Sequence, residues 1–206
     1  MYSQQGEDDI IEGIFAQQEI DPRSPGNLVD VGAYEPKDLS NSRLLIERGW
    51  DATLIEFSPM AVKNLAKEYA GKEHVRVIQA AVTPDEQPIL EFRVTDDGLS
   101  SNDPAHFAKW KDFGPGYYGS IWVPTLSVRR LIDQFYGDKP IHFVNVDTEG
   151  SSVEVAIEFM KLDGNWKPCV ICVEHDDRDS FLMAHAQRLG YRMEHRSETN
   201  AILVIR

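Results

Sequence analysis

Only two of the 206 residues are cysteines, Cys169 and Cys172. That excludes a disulfide-stapled mini-protein, and no second pair is available to complete a tetrahedral zinc site. Their C-x-x-C spacing invites a metal or redox reading. They sit, however, in the apolar run Cys169-Val170-Ile171-Cys172-Val173, which reads as a buried strand. Residues three apart on a strand point to opposite faces, so two buried thiols that do not meet are expected. A basic stripe is also missing. Against 34 Asp and Glu stand 21 Lys and Arg, a net charge of -13, which disfavours nucleic acid because non-specific affinity for it needs cations that displace counterions. No apolar run approaches the ~20 residues that span a bilayer. The start, Met1-Tyr2-Ser3-Gln4, lacks the charged-then-apolar plan of a signal peptide. A soluble cytoplasmic protein without a membrane or nucleic-acid partner is expected. Repeats and low-complexity tracts are lacking as well, and 42% hydrophobic with 27% charged residues is an ordinary globular balance. The expectation is one domain over residues 1–206 with a sizeable core.

What is present is alternation. Leu28–Val31, Thr53–Glu56, Val75–Ile78, Ile141–Val146 and the cysteine run read as strands. Between them the period becomes helical: Val62, Leu65, Ala66 and Tyr69 share one face, as do Val128, Leu131, Ile132 and Phe135, and Val153, Ala156, Ile157 and Met160. Alternating strand and helix implies βαβ crossovers and an α/β sandwich around a mostly parallel sheet. Tyr191–His195 and Ala201–Ile205 are too close for a crossover helix and should form an antiparallel hairpin at one edge. A helix over Glu7–Gln18 precedes the first strand, with acids at its start as suits a helix N-terminus. Residues 96–123 break the pattern with interleaved glycines and aromatics, the composition of a lid or substrate loop.

In an open α/β sheet ligands bind beyond the carboxyl ends of the strands. The first strand ends in Asp30-Val31-Gly32-Ala33-Tyr34, where Gly32 serves either close backbone approach to a ligand or only a tight turn. The second ends in Glu56, which can accept from both hydroxyls of a ribose or else cap the helix after Pro59. The fourth ends in Asp147-Thr148-Glu149-Gly150 and the fifth in Glu174-His175-Asp176-Asp177. Carboxylates at adjacent strand ends converge on one crevice, where desolvation and repulsion shift their pKa values. His175 is placed either as a proton acceptor or in a structural hydrogen bond. His185 reads as a core or boundary residue and His142 as structural.

Seven pieces follow one another in register: Ser3-Gln4-x-Gly6-Glu7-Asp8, Val29-Asp30-Val31-Gly32-Ala33, Ser40-Asn41-Ser42-Arg43-Leu44-Leu45, Gly49-Trp50, Ile55-Glu56, Ala80-Ala81-Val82 and Asp147-x-Glu149-Gly150. In this the chain resembles the FkbM-type methyltransferases, from residue 3 to about residue 160. The resemblance implies a Rossmann-like class I methyltransferase fold, a seven-stranded sheet with an antiparallel C-terminal strand. It also implies S-adenosylmethionine as cofactor and O-methylation of a small molecule or sugar. Carried over, Asp30, Gly32, Ala33 and Tyr34 form the first cofactor loop, Glu56 holds the ribose, and Phe57, Ser58, Ala80 and Ala81 flank the adenine. Asp147 lies near the methyl group. Gln4 and its neighbours fold over the cofactor mouth or merely start a helix, and Asn41 reaches the site. There are two departures from the family pattern. Phe57 and Ser58 intervene between Glu56 and Pro59 where family members carry Pro directly, and Ser152 stands where they carry a further acid.

A hydroxyl acceptor must lose its proton, and Asp147, Glu149 or His175 is expected to take it as general base. No metal ligand set is assigned. Two rivals stand beside this reading: Asp147-Thr148-Glu149 also resembles the D-x-D pair of metal-dependent nucleotide-sugar glycosyltransferases, and the fold could serve as a non-catalytic interaction module. Charge is unevenly spread. Residues 1–22 hold Glu7, Asp8, Asp9, Glu12, Glu19 and Asp21 and no Lys or Arg, and part of this charge is assigned to the cofactor mouth.

Overall fold

The computed structural model describes residues 2–18, 20–21, 24–94, 101 and 119–206. In chain order its elements are α1 (Glu7–Gln17), β1 (Asn27–Val31), α2 (Arg43–Glu47), β2 (Asp51–Glu56), α3 (Pro59–Glu68), β3 (Val75–Gln79), β4 (Ala81–Thr83), β5 (Ile89–Val94), β6 (Gly119–Ser127) and α4 (Val128–Phe135). There follow β7 (Phe143–Val146), α5 (Ser152–Met160), a 3-10 turn (Gly164–Trp166), β8 (Val170–Glu174), α6 (Asp179–Arg188), β9 (Tyr191–Arg196) and β10 (Asn200–Ile205). Seven strands make the main sheet in the order β3-β2-β1-β7-β8-β10-β9. The first five are mutually parallel, and β10 runs antiparallel to both β8 and β9. The C-terminal hairpin thus lies where the sequence puts it, with β9 at the edge.

The alternation of side chains along each strand divides the interior into two cores. Val29, Val31, Ile55, Val144, Val146, Ile171, Val173 and Leu203 face α4, α5 and α6. Leu28, Ala52, Leu54, Phe143, Val170, Cys172, Ile202 and Val204 face α1, α2 and α3. Each helix contributes the stripe its periodicity announces: Ile11, Ile14 and Phe15 from α1, Leu131 and Ile132 from α4, Val153, Ala156, Ile157 and Met160 from α5. Ser127 caps α4, its hydroxyl accepting from the Arg130 N–H at 3.3 Å.

Both cysteines are free, as expected, but the geometric argument needs correction. β8 begins at Val170, so strict alternation does not reach back to Cys169, and both side chains pack on the core that faces α1–α3. Burial pushes both thiols above their ordinary pKa.

A three-stranded sheet, β4-β6-β5, stands beside the main one, with β4 parallel and β5 antiparallel to β6. The lid expected at residues 96–123 lies outside the described residues except for Ser101 and 119–123. The latter belong to β6. Ser101 is buried and bridges to Arg93, and its hydroxyl donates to the Glu149 carbonyl at 2.5 Å.

Candidate active site

On the face that meets α1–α3, five strands change character at the same edge of the sheet. Leu28 gives way to Asp30, Leu54 to Glu56, Phe143 to Asn145 and then Asp147, and Cys172 to Glu174; on the antiparallel β10, Ile202 gives way to Asn200. Register aligns these positions, with Asp30 beside Asn145 and Glu174 beside Asn200. The apolar half of each strand makes the core and the polar tip lines a cavity of about 490 Å³. That cavity is bounded by Gln4, Asp30, Gly32, Ala33, Tyr34, Asn41, Glu56, Phe57, Ser58, Ala80, Ala81, Asp147 and Glu149 among others. Every site residue named from the sequence lines it except His175.

His175 follows β8, which ends at Glu174, and is 1% exposed. Its Nδ1 accepts from the Asp177 N–H at 3.1 Å, and Nε2 has no partner among the described residues. The expectation that it faces the acceptor side is therefore corrected: the buried side chain does not line the cavity, and its Nδ1 lies 3.8 Å from Asp179 Oδ2 at the start of α6.

The loops at this edge are held in unusual backbone conformations. Tyr34, Leu39, Glu149, Asp176 and Asp177 all have positive φ, from 23° to 62°. Such conformations cost energy unless the surroundings fix them, and they cluster at functional sites. Gly32 has φ 80°, and a Cβ built on it would lie 1.6 Å from the Asp147 carbonyl oxygen. Its lack of a side chain thus admits the neighbouring β7 loop rather than a ligand. Glu56 is buried, its Oε2 accepting from the Tyr34 N–H at 3.1 Å and its Oε1 from the Ser58 N–H at 2.7 Å. Each oxygen keeps a lone pair. Phe57 stacks on Phe92 of β5, ring centroids 4.3 Å apart, to build an aromatic wall.

Electrostatically the cavity is one-sided. Among the described residues its lining holds no Lys, Arg or His and eight carboxylates. Burial raises Asp30 and Glu56 above their ordinary pKa values. Desolvation also raises Asp147, to about 6, against a hydrogen bond with Glu174 that lowers it. Glu174 is raised far more, first by burial and then by the charge of Asp147. At neutral pH this pair therefore shares a proton. Asp147, Glu149 and Glu174 each bring a carboxylate oxygen within 4.8 Å of the others.

The N-terminal signature serves differently from its expected place at the mouth. Glu7 is fully buried and accepts from Asn200 Nδ2 and Ser197 Oγ, both at 3.0 Å, and from the Gln5 N–H at 2.8 Å. Asp8 accepts from Ser3 Oγ at 2.6 Å. Burial pushes both carboxyls up, but these hydrogen bonds outweigh it and hold them low. Those from Ser197 and Asn200 to Glu7 tie α1 to the β9–β10 turn, and of this segment only Gln4 reaches the cavity. Ser40 Oγ accepts from the Arg43 N–H at 3.2 Å and Ser40 also lines the cavity, while the N-cap of α2 is Ser42.

Sequence reasoning named Ala81 at the start of β4 but missed the rest of this wall: Thr83, Pro84 and Asp85, and Leu90 and Phe92 of β5. It also missed Thr199, from the β9–β10 turn, and Asn200, which opens the antiparallel β10. The alternation Leu90 and Phe92 on β5 was the available signal.

The family described as "Methyltransferase FkbM domain" matches residues 30–193. Comparison with curated proteins gives no match. Among solved structures, Methyltransferase FkbM from Methylobacillus flagellatus is 12% identical with a TM-score of 0.51, covering 87% of this chain and 43% of that one. The chain thus spans less than half the length of that protein. A TehB-like SAM-dependent methyltransferase from Corynebacterium glutamicum is 9% identical (TM-score 0.47, 98% and 88% covered). The N-terminal domain of human METTL16, in complex with SAH, is 10% identical (TM-score 0.49, 95% and 66% covered).

Proposed function

The chain belongs to the FkbM methyltransferase domain family, and from that premise we propose that it transfers a methyl group from S-adenosylmethionine to a hydroxyl oxygen of a small molecule or sugar. Membership of that family displaces the nucleotide-sugar glycosyltransferase reading of Asp147-Thr148-Glu149. The observation that carries the proposal is the convergence of Asp30, Glu56, Asn145, Asp147 and Glu174 on one cavity from four adjacent parallel strands.

The residues present fit the cofactor. Glu56 has lone pairs for two ribose hydroxyls, and Phe57, Phe92, Ala80 and Ala81 offer apolar and aromatic surface to a flat base. A lining whose described residues include no Lys, Arg or His suits a ligand that carries a sulfonium and an ammonium. When bound, S-adenosylmethionine supplies an electrophilic methyl group. The chain's own work is to hold the acceptor oxygen in line with it, to exclude water and to take a proton. Asp147 is the base: it is half-buried, lines the cavity, and desolvation brings its carboxyl to about 6, closer to neutrality than an ordinary aspartate. Glu174, which keeps its proton at neutral pH, spares Asp147 a second negative charge. His175, outside the cavity lining, takes no proton in this scheme.

Calorimetric titration of the folded chain with S-adenosylhomocysteine and, in parallel, with NAD tests the proposal. Binding of the first alone is expected. Absence of that binding in a folded sample would refute the reading and leave the interaction-module alternative.

A further inference from the structure

Between β8 and α6 two successive aspartates hold a backbone conformation that L-residues adopt singly at most. Asp176 has φ 48° and Asp177 φ 56°, and the Arg178 N–H donates to the His175 carbonyl at 2.7 Å. Two positive φ values closed by such a bond are those of a type I′ turn. Aspartate tolerates this conformation better than most side chains, but two in a row without a glycine need support from outside the turn. His175 supplies it. Its buried Nδ1 accepts from the Asp177 N–H at 3.1 Å. That is the bond of an Asx turn, from a side-chain acceptor to the backbone two residues on, made here by an imidazole.

A ring nitrogen that accepts carries no proton, so this geometry requires the ring proton to be on Nε2. The charges around the ring permit it. Asp179 Oδ2 lies 3.8 Å from Nδ1 and would favour a proton there, but both Asp179 oxygens already accept from Arg196 of β9, at 2.7 and 3.1 Å. Arg178 is taken up by Glu154 of α5, at 2.8 and 2.5 Å. The His175 N–H donates to the Thr199 carbonyl at 3.0 Å, which pins the start of the turn to the β9–β10 turn.

What the turn carries is Asp176, half-buried and two residues beyond Glu174. Burial raises the carboxyls of Asp147 and Glu174 most, and the charge of Asp176 adds to both. We infer that His175 is a positioning residue: through the Asp177 N–H its Nδ1 fixes the turn, and the turn holds the Asp176 carboxylate near the Asp147–Glu174 pair. His175 thereby acts on the cavity without lining it. The bearing of this on catalysis rests on Asp147 being the base, as read above. The placement itself does not, and its test needs neither cofactor nor acceptor.

The test reads the folded chain by NMR. Nitrogen-15 spectra of the ring at neutral pH should show Nδ1 without a proton and Nε2 with one; a proton on Nδ1 overturns the inference. The Asp147 carboxyl, labelled with carbon-13 and identified by its absence in Asp147→Asn, should titrate with a midpoint lower by about 0.5–1 in pH in His175→Leu, because the like charge of Asp176 moves away. Asp176→Asn should lower the midpoint as far, and adding His175→Leu to it should lower it no further. His175→Asn should keep the wild-type midpoint, since its Oδ1 stands as many bonds from the backbone as Nδ1 and makes the same turn. An unmoved or raised midpoint in His175→Leu or Asp176→Asn, a further fall in the double variant, or a fall in His175→Asn overturns the inference. Should thermal melting show that His175→Leu does not fold, the ring tautomer and the Asp176→Asn midpoint, both read on chains that keep the imidazole, decide. Failure of the wild-type chain to bind S-adenosylhomocysteine is a separate result, which removes the methyltransferase reading and leaves the role of His175 standing.

Discussion

The Asp147 carbonyl oxygen occupies the space that a side chain on Gly32 would need, 1.6 Å from where a Cβ would stand. The two residues follow adjacent parallel strands, β1 and β7, and the Asp147 N–H donates to the Val31 carbonyl at 2.9 Å. The position of the proposed base is therefore set by the absence of a side chain on its neighbour. Gly32→Ala must displace the β7 loop and also hold a positive φ, so a destabilisation above about 3 kcal/mol is expected. Denaturant unfolding would show it, and a variant within 1 kcal/mol of wild type would mean that the loops separate easily.

As general base, Asp147 must be ionised. Desolvation raises its carboxyl to about 6, so kcat/KM should fall roughly tenfold for each pH unit below about 6. Asp147→Asn should lower kcat by about 10²–10⁴ while leaving S-adenosylhomocysteine affinity within a fewfold. An acidic limb that persists unchanged in the variant would assign the proton to another group.

Glu174 makes a stability prediction with a definite sign. Its folded pKa is raised, first by burial and then by the charge of Asp147. Its contribution is thus fully present below the unfolded value near 4.3 and is lost as pH rises through the folded value. Glutamine imitates the protonated form and does not titrate. The Tm difference, Glu174→Gln minus wild type, should grow with rising pH, by about 2–4 °C for each kcal/mol relieved. A difference that is flat between pH 4 and pH 9 would mean that Glu174 is well solvated.

The loop that carries Asn41 is held from behind by Arg43, which is 7% exposed. Its Nη1 donates to the Pro36 carbonyl at 3.1 Å, its Nη2 pairs with Glu47 at 2.6 Å and Glu68 at 3.0 Å, and its guanidinium lies 5.3 Å from the Tyr69 ring centre. Arg43→Met should cost about 1–3 kcal/mol, the half-exposed glutamates keeping it below the figure for a fully buried pair. It should also raise KM for the cofactor more than it lowers kcat. Titration of the variant with S-adenosylhomocysteine separates the two effects, and unchanged affinity would detach the loop from binding.

The close approach of Asp147, Glu149 and Glu174 invites a cation, yet a proton on Glu174 already relieves their repulsion. Activity is expected to survive dialysis against a chelator. Loss of activity that magnesium or manganese restores would replace the proton by a metal.

Much of this architecture was legible in the chain. Strands such as Leu28–Val31 and Thr53–Glu56 announce themselves because burial on both faces demands continuous apolar runs, and α4 and α5 because one face must be apolar every 3.6 residues. The strand-end acids Asp30, Glu56 and Asp147 were legible for the same reason: a charged residue closing an apolar run must lie at the sheet's edge. β4, β5 and β6 were not, since a small sheet with one exposed face, where Trp122 is 64% exposed, carries a weak pattern.

Residue types and their periods fixed the layers, the direction of the strands and the edge at which polar groups gather, because these follow from burying one face of each element. Only the tertiary structure decided what each polar group does. It kept His175 out of the cavity lining, committed Glu7 to Asn200 across the chain, and engaged both oxygens of Asp30 while leaving Asn41 Oδ1 buried without a partner among the described residues. Hydrogen-bond partners far apart in sequence are chosen by register and loop geometry, to fractions of an ångström, and no local pattern of residues encodes that choice.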